Sequence, residues 1–383
     1  MNTHNRCQPD VQQTPGVAGA DCVAGTIEVT NNLDLGPGSL RAAFVAADAA
    51  LGAQTICVNT TVVGPIVLTS GALTYATNPG ALTLQGNGIT ISGNLNDRVI
   101  NDTAGGSLTL DHVTIKDGKV AGNGGGVQAS GPVTVTNSTI SDNTNSGGTE
   151  GGGIYAGGAM TVIDSTFTDN VSSRFGGAVF AFGATVTNST FTRNTSLEEG
   201  GAIFSWQSPL SVAYSTFSDN TSTSPNNLPS ALFVREHQIT LFASVLIKPA
   251  GATDLCGTLR GSISSLGDNF TNEDKPGSCN LTGPGDVGLS TNDPLLGALA
   301  GNGGPTWTRL PQAGSPLIDA IPNANCGDGN TLAGFAVTTD QRHLVRPEQS
   351  GGKCDIGAVE VQLPPAPAPA PAAPVEVVIR FTG

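Results

Sequence analysis

Between Leu108 and Val234 one pattern is written five times: LTLDHVTIKDG, VTVTNSTISDN, MTVIDSTFTDN, ATVTNSTFTRN and LSVAYSTFSDN. Each copy runs through a joint into a second short apolar stretch, GGGVQA, GGGIYA, GGAVFA, GGAIFS and PSALFV. Anchored on Ile115, Ile140, Phe167, Phe191 and Phe217, the steps are 25, 27, 24 and 26 residues. A period in this range marks a solenoid, in which no unit buries its apolar side alone and stacking creates the core.

Sorting the copies into columns gives each coil its faces. Leu108, Val133, Met160, Ala184 and Leu210 form one apolar column, and Leu110, Val135, Val162, Val186 and Val212 form a second two residues later. The residues between them are Thr or Ser, as the outer face of a strand requires. In the second run Val127, Ile154, Val179, Ile203 and Leu232 point inward. Asn143, Asn170, Asn194 and Asn220 recur at a turn and predict a ladder of stacked amides, tolerant of left-handed backbone. Two or three short strands per coil, stacked ~4.8 Å apart, predict an all-β parallel β-helix of about nine or ten coils, roughly 45 Å long. A right-handed coil follows from the preferred crossover hand.

Charged residues make up only 12% of the chain and glycines number 52, which favours strands and turns over helices. The net charge of −14 argues against nucleic acid and against anionic lipid. No run approaches the ~18 apolar residues of a membrane span. MNTHNRCQPD has no apolar core, so the chain reads as a mature or trimmed form. The seven cysteines include no CxxC pair, which speaks against zinc. Pairing by proximity gives Cys22–Cys57, Cys256–Cys279 and Cys326–Cys354, with Cys7 left over. Staples on irregular ends suit an oxidising compartment, free buried thiols being the alternative.

Taken in order, residues 1–53 form an N-terminal segment with one helix. Gly36-Pro37-Gly38 turns the chain, Ser39 is an N-cap, and Leu40, Ala43, Phe44 and Ala47 have helical spacing. Such a helix covers the open end of a stacked sheet. Coils occupy 54–247, irregular terminal coils and a loop-rich cap 248–363, a stiff polyproline spacer 364–374, and a lone strand 375–383.

EVTNNLDLGPGSLRAAFVAAD, beginning at Glu28, resembles the N-terminal signature of bacterial secreted β-helix proteins. The coils (STISDN…GGGIYA) resemble polymorphic-outer-membrane-protein repeats. The end (GGPTWTRLPQAGSPLIDA…DQRHLVRP…GGKCDIGAVE) is similar to the closing segment of choice-of-anchor Q domain proteins. The resemblance covers most of 26–361. It implies export and surface attachment, and most such proteins have no assigned reaction. It also places Asp319, Asp340, Gln341, Arg342, Arg346 and Asp355 in the closing motif, where an Arg–Asp network would hold the cap.

Four columns carry candidate chemistry. Gln128, Tyr155, Phe180, Phe204 and Phe233 follow the inward column and so point outward, with Phe182 and Trp206 two residues on. Exposed, they offer a face to sugar rings or a protein partner; otherwise an end-segment or partner covers them. Asp117, Asp142, Asp169 and Asp219, with Arg193 among them, make an acidic corner that needs solvent, an Arg or calcium. Thr114, Thr139, Thr166, Thr190 and Thr216 form an outer ladder, which ordinary strand preference explains better than ice binding. For catalysis, Asp142, Asp164, Asp169, Glu198 and Glu199 with Arg174 and Arg193 are available to a polysaccharide lyase or hydrolase. His112, His237 and His343 look isolated. The expectation is a non-catalytic, secreted or cell-surface β-helix acting in adhesion, saccharide or partner binding, or surface structure. The alternatives are a filament built by stacking or by exchange of the C-terminal strand, and a polysaccharide-degrading enzyme.

Overall fold

A computed structural model of the chain describes residues 22–224, 228–274, 276–288, 293–326, 337–348 and 352–362. Cys7, the spacer and the C-terminal strand lie outside them. Coils stack in parallel register. Val133 aligns with Met160, then Ala184, Leu210 and Ile239 on successive coils. Ile140, Phe167, Phe191, Phe217 and Leu246 align in the same way. Inside the coil the rings of Phe167, Phe191 and Phe217 pile face to face, 4.6 and 4.8 Å between centroids. That spacing matches the inter-strand distance, so each ring covers its neighbour with no gap.

Each coil bends twice within its longest face, and both bends follow one rule. A residue with left-handed backbone comes first: Asn137, Asp164, Asn188 and Tyr214 at the first bend, and Asp142, Asp169, Arg193 and Asp219 at the second. Next comes a buried residue whose side-chain oxygen accepts from the coil before it. At the second bend Asn143, Asn170 and Asn194 each donate Nδ2 and the backbone N–H to Oδ1 of the next Asn, at 2.9 to 3.2 Å. The same Nδ2 groups also donate to the carbonyls of Ile115, Ile140 and Phe167 one coil back. The left-handed residue is therefore the one before each Asn, not the Asn itself as the sequence suggested. At the first bend Ser138, Ser165, Ser189, Ser215 and Ser244 form a second ladder, the N–H of each of the first four donating to the next hydroxyl at 3.1 to 3.2 Å and that of Ser244 to Asn269 Oδ1 at 2.9 Å.

The joints are glycine for steric reasons. Gly151, Gly176 and Gly200 have φ of 65–69°, and a Cβ on Gly152, Gly177 or Gly201 would overlap the backbone of the next coil.

Both ends of the core are covered. Helix α1 (Leu40–Ala49) starts at Ser39, whose hydroxyl accepts from the Ala42 N–H, and buries Leu40, Ala43, Phe44 and Ala47 over the first coil. At the other end Cys279 and Leu281 join the same core, held by the disulfide to Cys256.

From a hairpin of Leu296–Ala300 and Thr308–Pro311 the chain turns back along the outer side of the longest face. Gln341 inserts between two rungs: its Nε2 donates to the Thr166 hydroxyl and its Oε1 accepts from the Thr190 hydroxyl. Ala358 N donates to the Thr216 hydroxyl, and Trp307 O accepts from Thr166. Thr166, Thr190 and Thr216 are consequently buried. Three of the five members of the outer Thr ladder thus serve as a docking track for the chain's own return, and Thr114 and Thr139 stay partly exposed.

Asp102, at the end of the inward strand Ile100–Asp102, is fully buried; one carboxylate oxygen accepts from Ala104 N and the other has no protein partner. Burial raises its pKa from 3.8 to about 6. The folded chain thus holds this proton more tightly than the unfolded one, so stability falls as pH rises through that interval and stays lower above it. Calorimetry of Asp102→Asn should show a gain approaching ~3 kcal/mol at pH 8 and little change at pH 4. Equal gains at both pH values would contradict the assignment.

Candidate functional site

The aromatic column points away from the main core and forms a second, smaller one. Tyr155, Phe180, Phe204 and Phe233 stack in one pile, centroids 5.1 to 5.4 Å apart and planes 4° to 23° from parallel. Phe175, from the loop before the joint, stacks on Phe204 at 4.5 Å. Phe180, Phe204 and Phe233 are only 4%, 2% and 8% exposed. This corrects the expectation of an open platform. The rings cover one another because coil spacing suits face-to-face stacking, and the pile turns ring edges, not faces, outward. What stays accessible is an outer row. Tyr155, Phe182 and Trp206 are half-buried against the pile, with Phe182 edge-on to Phe180 and Trp206 tilted by 40°.

Charged groups border this row on both sides. The Arg235 guanidinium lies 4.0 Å from the Trp206 ring centroid and that of Arg174 4.4 Å from Phe175. Arg174 also reaches Glu150 at 3.1 Å and Glu198 at 3.8 Å. Burial pushes the neighbouring Glu199 carboxyl above its ordinary value. The result is a Trp–Tyr–Phe row within an Arg/Glu rim, on a rigid sheet.

The acidic corner is spread along a row of bends. Arg193 clamps Asp169 with Nε on one oxygen (2.8 Å) and Nη2 on the other (2.7 Å). Asp219 pairs with Arg309 of the returning segment at 2.6 Å, and Asp117 accepts from Ser92 and faces Lys116. Asp142 has a raised pKa, chiefly from burial, with Asp169 and Asp117 adding to it and Lys116 opposing. Among the described residues no group of three or more His, Cys, Asp or Glu side chains is placed to hold a metal ion, so Asp117, Asp142 and Asp169 do not come together as a calcium cage. Asp sits in this column because it tolerates the left-handed backbone there.

Two histidines that looked isolated belong to one hydrogen-bonded row. Asp111 Oδ1 accepts from His112 Nδ1 (3.0 Å), Thr136 Oγ1 (2.7 Å) and Asn137 Nδ2 (3.1 Å). Asn137 Oδ1 then meets Nε2 of His343, from the returning segment, at 2.8 Å. His343 Nε2 also lies 3.5 Å from Asp164. Burial works against the Asp111 anion, but its donors outweigh burial and hold it at about 2. At Asp164 burial wins, raising it to about 6. Periodicity could not reveal this row, because His343 lies outside the repeats. The catalytic candidates thus fall into three places: Asp164 here, Asp142 and Asp169 at the other bend, and Glu198 and Glu199 beside the aromatic row.

The three disulfides pair Cys22–Cys57, Cys256–Cys279 and Cys326–Cys354, with Cα separations of 5.7, 4.9 and 5.7 Å. Residues 128–224 match the family model described as a right handed beta helix region. The fold is a right-handed parallel β-helix. No curated protein and no solved structure matches the chain. Thus the β-helix places the aromatic row and the bends, and the chemistry is carried by this chain's own residues.

Pile and outer row differ in what they hold up. Phe204→Ala should cost about 3–5 kcal/mol in denaturant unfolding, as a buried ring does. Trp206→Ala should cost about 1 kcal/mol, most of it the contact with Arg235. Equal costs would contradict the division.

Proposed function

We propose that this β-helix is a non-catalytic extracellular or cell-surface component that binds its partner through the Tyr155–Phe182–Trp206 row. The half-exposed row, with Arg174, Arg235, Glu150 and Glu198 around it, is the observation that carries this reading. Trp, Tyr and Arg at the centre of a rigid patch with a polar rim is the composition of an interface hot spot. Because the pile presents ring edges, a protein partner fits it better than a sugar needing a broad stacking face. An oxidising location is supported by the three disulfides.

The test is binding to isolated cell envelopes, untreated and after protease or periodate treatment. Trp206→Ala and Phe182→Ala together should weaken binding at least ~10-fold while leaving the fold intact, about the loss of one hot spot. Loss of binding on protease treatment identifies a protein partner, and loss on periodate a glycan. No binding, or binding untouched by the double substitution, counts against the reading.

A further inference from the structure

Helix α1 is apolar on both of its sides. Leu40, Ala43, Phe44 and Ala47 face the first coil, and Ala42, Val45, Ala46 and Ala49, at the same helical spacing, share the opposite side. Val45 is 64% exposed, and Leu51, just past the helix, is 94% exposed. A helix that is apolar all round is ordinarily a buried one. Its two charged side chains do not interrupt the outer stripe. Arg41 is spent on Asp34, at 2.9 and 2.7 Å, and on the carbonyls of Ala72 and Gly71. Asp48 accepts from the N–H groups of Ala76, Thr77 and Asn78 at 2.7 to 3.2 Å.

Two loops continue the stripe beside the first turn of the helix. Asp34, held by Arg41, also accepts from the N–H groups of Thr69 and Ser70, and Asn32 Nδ2 donates to the Val63 carbonyl at 3.2 Å. These bonds tie the loops to each other and to α1, and they carry Leu33, Leu35 and Val63, each more than half exposed. The N-terminal cap therefore covers the coil with one face and presents a second apolar face outward.

The chain leading to this end points to the occupant. Cys22 is fastened to Cys57, in the strand that follows α1, so residues 1–21 start from the same end. Their large apolar side chains are Met1, Val11 and Val17, too few to bury Val45, Leu51, Leu33, Leu35 and Val63. They carry the seventh cysteine, Cys7, while three disulfides take the other six. An odd cysteine in a disulfide-bonded chain suits pairing between molecules.

We infer that the outer face of α1, with Leu33, Leu35, Leu51 and Val63, is the contact between two copies of this chain, which meet cap to cap about a twofold axis and are stapled through Cys7. A twofold contact is self-complementary and closes at two copies, so it makes a pair and not a filament. The small side chains Ala42, Ala46 and Ala49 let the two helices approach closely, and Val45 and Leu51 of each copy pack on the other. For the staple, two Cys7 thiols give up two protons and two electrons to a small-molecule disulfide, which leaves as two thiols. The aromatic row lies on later coils and is not used, so the pair displays two such rows.

Sedimentation equilibrium on the full chain carrying Cys7→Ser reads the contact without the staple. It should show a dimer that dissociates on dilution, with Kd below about 100 µM. Val45→Glu and Leu51→Glu together should raise that Kd at least ~30-fold, with circular dichroism and Tm unchanged. Should Val45→Glu disturb the fold, Leu51→Glu alone, outside the helix, should still weaken the dimer. With Cys7 in place, oxidised glutathione should yield a species of twice the chain mass on non-reducing electrophoresis, and the double variant should lose it. A Cys7→Ser chain that stays monomeric up to about 100 µM overturns the inference. So does a dimer that neither substitution weakens, which puts the contact elsewhere. A dimer weakened by both but never linked through Cys7 strikes out the staple.

Discussion

A coil of about 25 residues can close only if its chain turns sharply, and every sharp turn breaks the rung-to-rung pairing of backbone groups. This molecule meets that constraint at two bends per coil with a left-handed residue followed by a buried acceptor. After the turn the backbone N–H points along the axis where no carbonyl stands opposite, and the next coil's Asn or Ser oxygen takes its place. An unmet buried N–H would cost about 1–3 kcal/mol at each bend of each coil, so the ladders are a condition of stacking and not an ornament to it. They also fix register. Slipping one coil by a residue would take every Asn out of line and turn the apolar columns outward.

The outer surface follows from that rigid base. Stacking at the coil spacing gives aromatic side chains on any outward column a face-to-face neighbour, which is why Phe180, Phe204 and Phe233 bury one another. Only Tyr155 at the end of the pile and the next row, with Phe182 and Trp206, remain for contact with a partner. On the outer side of the longest face the same stacking lines up Thr hydroxyls, and the chain uses them to dock its own end. The returning segment is tied to the coils mainly by hydroxyls and carbonyls, with His343 beside Asp164 and Arg346 over the Tyr214 ring among its charged contacts.

The periodic part of this architecture was legible in the sequence. Anchoring on Ile115, Ile140, Phe167, Phe191 and Phe217 was enough to separate inward, outward and turn columns, and the Asn column followed. The Ser column, from Ser138 to Ser215, is equally visible in the repeat, but its residue type does not mark it as buried. Its burial depends on the left-handed residue before it, which is Asn, Asp or Tyr and shows no single residue type. The exposure of the aromatic column was misjudged because alternation says which side a residue points to, and not what covers it there. Phe175 and Arg174 come from a loop of variable spacing. The returning segment was the least legible part, since Gln341 meets Thr166 across 175 residues and His343 meets Asn137 across 206, with no repeat to link them.

The claim on which the rest depends is that the amide ladder holds the coils together, and a double-mutant cycle at two of its rungs tests it most directly. Asn170→Ala strands two donors of Asn143 and the Ile140 carbonyl, and Asn194→Ala does the same one coil on. In denaturant unfolding each substitution should cost about 3 kcal/mol or more, and together they should cost at least ~1 kcal/mol less than the sum, because the rungs share a bond. Single costs under ~1 kcal/mol, or strict additivity, would contradict the account.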